Sequence, residues 1–375
     1  MELTHEDSLR LHVLMANAQA IRIDENNMIV YGLCGDNESK VTLHCNCKSE
    51  LYLKQVRELL STIATGSPRG YPLFLKRWIR MGQMGNISPE KLLLLGEPEA
   101  VVAIAGIRDL SDDFARKAWW ASPTAENARR MLQCPTLVTG SMGKMLAEFL
   151  VEYLPFETEA FYMQENVRLV LQADLISTET KQKIWNMGVR KKAYRLGFLH
   201  SHPDQLPEPA PNRADWESVQ HILSSNQFDA DPIAKLLLRL LSSPGQTYLL
   251  LCDDISKKLG DQDVVVSLMN AMGGYFEAAR VDLPEWQDME TLQRSVDEWL
   301  MLRMDSVPTF ANCWRLLPAW HEDLRAMLIL AHLGEKVVWP VLSKTTAVGT
   351  LLRKKLEPVI NEVMVQVQLL ISAKQ

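Results

Sequence analysis

A chain of 375 residues, 47% hydrophobic and 23% charged, holds enough apolar material for a sizeable core. That excludes global disorder and suggests two or three domains or one long array of repeats. A formal net charge of −6 argues against a dedicated nucleic-acid binder. Six cysteines, Cys34, Cys45, Cys47, Cys134, Cys252 and Cys313, are too sparse for a disulfide framework, and no apolar run approaches the ~20 residues of a membrane span. The charged start MELTHEDSLRLH lacks a signal-peptide core, so the expectation is a cytoplasmic protein without membrane insertion.

Thr4 is the predicted N-cap of a first helix running to about Asn17, with Asp7 at the capping-box position. Period-two alternation follows. Ile21 and Ile23, then Ile29 and Tyr31, then Val41, Leu43 and Cys45 after the Gly35–Ser39 loop predict an antiparallel meander of three strands. Tyr52, Val56, Leu59, Leu60 and Ile63 form a helical stripe that covers one face. The breaks in TGSPRGYP close this small N-terminal α+β cap, giving a domain at 1–70.

Residues 71–202 read as helical hairpins. Ser88-Pro89, Pro98 and Ser111 open helices, the last carrying Phe114, Ala115, Ala118 and Trp119. The hairpin from Glu126 to Glu157 breaks at Pro135 and resumes near Ser141. Its Met142, Met145, Leu146, Phe149, Leu150 and Tyr153 recur at three and four residues, one apolar stripe. Such a hairpin cannot bury its stripe alone. The predicted fold is therefore mainly α, stacked helical hairpins in an α-solenoid, HEAT-like array. Leu110-Ser111 before Trp119 and Ile176-Ser177 before Trp185 share one spacing, a faint internal repeat.

The stretch PDQLPEPAP at 203–211 holds four prolines in nine residues and predicts an extended linker over 203–212. Helices resume over 213–375. Asp231-Pro232, Ser243-Pro244 and Asp261 or Asp263 start three of them. A longer amphipathic helix is predicted from about Pro284 to Met304. The final helix carries Val348, Leu352, Leu356, Val359, Val363 and Leu370 in near coiled-coil rhythm, with a kink expected at Pro358.

Chemical signals are few. His44-Cys45-Asn46-Cys47 is the densest group of soft ligands, with Cys45 and Cys47 on one strand face, but no second pair completes a zinc site. His200-Ser201-His202 is read as a helix C-terminus whose exposed imidazoles, when protonated, favour the helix dipole. Gly140-Ser141-Met142-Gly143 lacks the G-x-S-x-G spacing of a nucleophile elbow and reads as a helix start with Ser141 near the cap. No catalytic, cofactor-binding or metal-binding residue is assigned. Basic clusters lie at Lys76–Arg80, at Arg190-Lys191-Lys192 with Arg195, and at Arg353-Lys354-Lys355. The candidate partner contacts are Trp119, Trp120, Arg190, Lys191, Lys192 and Arg195. The candidate reactive thiols are Cys45 and Cys47.

Four stretches, MELTHEDSLRLHVLMAN (1–17), LLLLGEPEAVVA (92–103), AENARRMLQCP (125–135) and LVEYLPFETE (150–159), resemble the DsrS family. These are accessory proteins encoded with the dissimilatory sulfite reductase system of sulfur-oxidising bacteria. The likeness covers residues 1 to about 215 and contains no catalytic motif. It implies a soluble cytoplasmic protein that supports oxidation of stored sulfur, bound to a protein partner that is a component of that system. Two alternatives stand beside it: a cysteine-dependent sulfur-handling enzyme or carrier, and an RNA-binding regulator of expression.

Overall fold

The computed structural model describes residues 3–66, 88–225, 228 and 231–372. The predicted close of the cap after Gly66 and the cluster Lys76–Arg80 lie outside these. The chain is mainly helical, with one small antiparallel sheet near its N-terminus. It divides into two compact units, 1–155 with 172–176, and 156–171 with 177–375.

The first unit opens with helix α1 (His5–Asn17), strands β1 (Ala20–Asp24), β2 (Ile29–Cys34) and β3 (Asn37–Thr42), and helix α2 (Ser49–Thr65). The strands form a meander in the order β1-β2-β3. The Thr4 hydroxyl accepts from the Asp7 amide at 3.2 Å, as the cap signal predicts. Asp7 does not close the capping box. Its fully buried carboxylate accepts from the Tyr52 hydroxyl at 2.5 Å and the His44 amide at 2.7 Å, tying α1 to α2. Burial works to raise the Asp7 pKa, but these hydrogen bonds to the charged form outweigh it and hold the carboxyl below its usual range.

The pairing register fixes the strand faces, and one expectation, that for the cysteines, needs correction. Ile23 pairs with Val30, which pairs with Val41, and paired residues share a sheet face. Ile29 and Tyr31 therefore lie opposite Ile21 and Ile23, with Tyr31 beside Arg22 at 4.9 Å. Strand β3 ends at Thr42, so Cys45 and Cys47 sit in a connection and do not share a strand face.

The unit continues with α3 (Pro89–Leu93), α4 (Pro98–Ala105), α5 (Asp112–Ala121), α6 (Ala125–Met131), α7 (Pro135–Thr139) and α8 (Ser141–Tyr153). Proline opens α3, α4 and α7, where a missing N–H costs nothing. The cap of α8 comes from a distance. The Asp112 carboxylate accepts from both the Ser141 amide, at 2.6 Å, and its hydroxyl, at 2.7 Å. Helix α8 buries Met142, Leu146 and Leu150, while Met145 and Tyr153 stay exposed.

The second unit holds α9 (Ala160–Val170), α10 (Thr178–Met187), α11 (Lys192–Ser201), α12 (Trp216–Ser225), α13 (Pro232–Leu241) and α14 (Ser243–Ser256). It goes on with α15 (Gln262–Tyr275), α16 (Met289–Leu302), α17 (Pro308–Leu316), α18 (His321–Ala331), α19 (Glu335–Leu342) and α20 (Gly349–Ile371). Helix α18 is buried from Leu324 to Ala331 apart from Arg325, and so runs through the core. Helix α20 packs on α18 and α14 through Leu352, Leu356, Ile360, Val363, Val367 and Leu370. That spacing is helical core packing; Val348 is exposed. Helix α16 starts later than predicted, at Met289, because Asp288 and Thr291 form a reciprocal capping box there.

The proline-rich stretch lies within this unit and is docked. Asp204 makes paired hydrogen bonds of 2.7 Å with Arg239, Leu206 is buried, and the Ala210 amide donates to Thr247 Oγ1 at 2.8 Å. Proline removes helical hydrogen bonding, but Asp204, the Ala210 amide and Asn212 still find partners, so the segment is a strap.

A cleft in the second unit

Helices α9, α11 and α19 all pack on α15. Two glycines allow close approach. A Cβ at Gly197 would lie 2.5 Å from Val167, so α11 sits tightly on α9; one at Gly273 would lie 2.1 Å from the Leu333 carbonyl, just before α19. Between these helices opens a cleft of about 1140 Å³.

Phe161 on α9 and Trp339 on α19 line it and remain 47% and 55% exposed. Two large aromatic side chains are thus open to solvent at one concave surface. Glu165 and Arg168 on α9 form a bidentate pair at 2.7 and 2.8 Å. That pairing raises the Arg168 pKa further, against the effect of burial. Asn270 Oδ1 accepts from the Glu335 amide at 3.2 Å and so helps start α19. Gln262 Nε2 donates to the Thr345 carbonyl at 3.0 Å, fastening the segment after α19 to the start of α15.

His200 faces the same cleft, its Nε2 2.8 Å from Ser267 Oγ. The surrounding protein desolvates the imidazolium, and the Arg168 charge adds to this, so the His200 pKa falls; Glu165 opposes more weakly. His202 is lowered as well, chiefly by burial. His200 lies in the last turn of α11 and His202 at its C-cap, the helix end the sequence predicts, and the lowered pKa values of both reduce the share of the charged form that would meet the helix dipole. Ser267 is buried within α15, and the pair joins α11 to α15.

The residues singled out in the sequence lie elsewhere. Trp119 packs edge-on against Phe149, with ring centroids 4.8 Å apart. Trp120 stacks beside Arg22 and donates to Glu38 at 3.0 Å. Both belong to the first unit, whereas the 190–195 cluster belongs to the second. In that cluster Lys192 and Arg195 converge on Asp254 at 2.5 and 2.9 Å, and Arg195 lies over the Trp185 ring at 4.5 Å. These two cations are internal ties, while Arg190 and Lys191 stay exposed.

Cys45 is exposed, but its thiol is pushed up in pKa by desolvation and then by the nearby Cys47 and Asp7 charges. Cys134, Cys252 and Cys313 are buried, and burial with the adjacent Asp231 pushes Cys313 up to about 12. Among the described residues no group of three or more His, Cys, Asp or Glu side chains is arranged to hold a metal ion. None of the described helices is long and apolar enough to cross a membrane.

Sequence reasoning missed Phe161, Arg168 and Trp339, because nothing local distinguishes an exposed aromatic from a core one. No protein-family model matches this chain, and neither the curated proteins nor the solved structures contain a match.

Proposed function

We propose that this chain is a cytoplasmic, non-catalytic accessory protein that supports dissimilatory sulfur oxidation by holding a protein partner. Its paired helices act as a stacked, solenoid-like frame, and the cleft on α15 is the holding site. The observation that carries the binding role is the exposure of Phe161 and Trp339 at a concave surface. The link to sulfur oxidation rests on the resemblance of residues 1 to about 215 to the DsrS family. Within the thiol-enzyme alternative, Cys45 is disfavoured as the nucleophile by its raised pKa, since the thiolate is the attacking form.

Affinity capture with the intact chain from sulfur-oxidising cells tests this. Recovery of a component of the sulfite reductase system, lost in Trp339→Ala and Phe161→Ala, is the expected result. Capture that recovers no such component, or is indifferent to both substitutions, overturns it.

A further inference from the structure

We propose that the cleft on α15 recognises an organic cation, an ammonium or guanidinium carried on an apolar body. This rests on the reading of that cleft as a binding site and names the chemistry it selects.

Charge is the first argument. Arg168 is engaged by Glu165 in a bidentate pair, and His200 favours its neutral form. The formal charges left along the cleft are those of Asp263, Glu335 and Lys344, two acids against one base. All three are exposed, and none has an ion-pair partner among the described residues. Asp263 lies near the start of α15. Glu335 lies beside Asn270, seven residues along, a separation of about 10 Å at the helical rise of about 1.5 Å per residue.

The aromatics are the second argument. Trp339 and Phe161 present exposed rings on helices that both pack on α15. The face of an aromatic ring carries partial negative charge and attracts a cation, tryptophan most strongly. Carboxylates together with aromatic rings favour a cation with an apolar body over an anion.

The same chemistry can arrive as a free amine or as a lysine or arginine side chain of the partner. Calorimetric titration of the intact protein with 2-phenylethylammonium, 2-phenylethanol and 3-phenylpropionate separates cation, neutral and anion on one body. The ammonium should bind about tenfold more tightly than either other probe. Glu335→Gln and Trp339→Leu should each weaken it several-fold, with thermal melts confirming that both variants fold. A short Phe-Lys peptide and its lysine-acetylated form make the second arm. Binding by the peptide that is lost on acetylation assigns the site to a partner side chain, and binding by the free amine alone assigns a small molecule. Equal binding of the three probes, preference for the carboxylate, or no binding of any probe below about 10 mM overturns the proposal. If Glu335→Gln still captures the sulfur-system partner while no cation binds, the partner-holding role stands and this inference fails.

Discussion

Arg213 and Asp323 meet at 2.6 Å with neither side chain more than 1% exposed, joining the end of the proline-rich strap to the buried helix α18. The Arg213 guanidinium also takes both oxygens of Asp215, at 2.7 and 2.8 Å. Its Nη1 lies within 3.3 Å of the carbonyls of Leu369, Leu370 and Ser372. One cation thus satisfies the open carbonyl end of α20, a favourable place for positive charge.

Removing one partner of such a pair leaves a charge stranded in the interior. Asp323→Ala should destabilise the second unit by about 3–5 kcal/mol. Urea unfolding followed by circular dichroism measures this, and a loss below about 1 kcal/mol would contradict the account.

Acid should weaken both units. Asp7 and Asp215 have lowered pKa values in the folded chain; burial opposes this in each, and hydrogen bonds prevail, from Tyr52 and His44 to Asp7 and from Arg213 and Trp320 to Asp215. Their contribution is fully present above the unfolded carboxyl pKa of about 3.9 and is lost as pH falls through the lower folded value. Melting temperature should drop steeply below about pH 4, and Asp7→Asn and Asp215→Asn should flatten that slope.

His200 gives a second, milder dependence near neutrality. Its lowered folded pKa means that the unfolded chain binds the proton more readily. The associated stability is present above about pH 6.5 and declines as pH falls from there towards the folded value. The ring-proton NMR titration of His200 should have its midpoint below that of a model histidine. A midpoint above it would show that the Arg168 and desolvation effects had been misjudged.

Within the 190–195 cluster the residues should separate by burial. Lys192, only 7% exposed, and Arg195 share Asp254, so Lys192→Ala or Arg195→Ala should cost about 1–3 kcal/mol. Arg190→Ala and Lys191→Ala should stay within about 0.5 kcal/mol. Chemical denaturation of the four variants gives the ordering, and equal effects would refute it.

Thiol labelling should follow the pKa pattern. Cys45 should alkylate more slowly at neutral pH than a free cysteine, while Cys134, Cys252 and Cys313 should resist until the chain unfolds. Mass spectrometry of the native protein resolves each site. Fast, selective labelling of Cys45 or Cys47 would revive the thiol-enzyme alternative.

Helix starts were legible because capping is local. Thr4, Ser111, Ser177, Asp231 and Asp261 each accept from an amide two or three residues on, within any short window of sequence. The mainly helical class with a small sheet followed from periodicity for the same reason. The cleft was not legible, since its four helices meet only through tertiary packing. The docking of the proline-rich stretch was not legible either. Four prolines specify an extended backbone, but the bond from Arg213 to Asp323 spans 110 positions and leaves no mark in the composition. Asp7 shows the limit most simply: the right residue stood at the capping-box position, and a partner 45 residues away claimed its carboxylate.

The carbonyls held by Arg213 come from residues more than 150 positions downstream. During synthesis the strap and α18 emerge first, and their guanidinium–carboxylate knot must wait for the closing turn of α20. A chain truncated at residue 350 and released would leave the α14 and α18 surfaces uncovered, a species prone to aggregate or to engage chaperones.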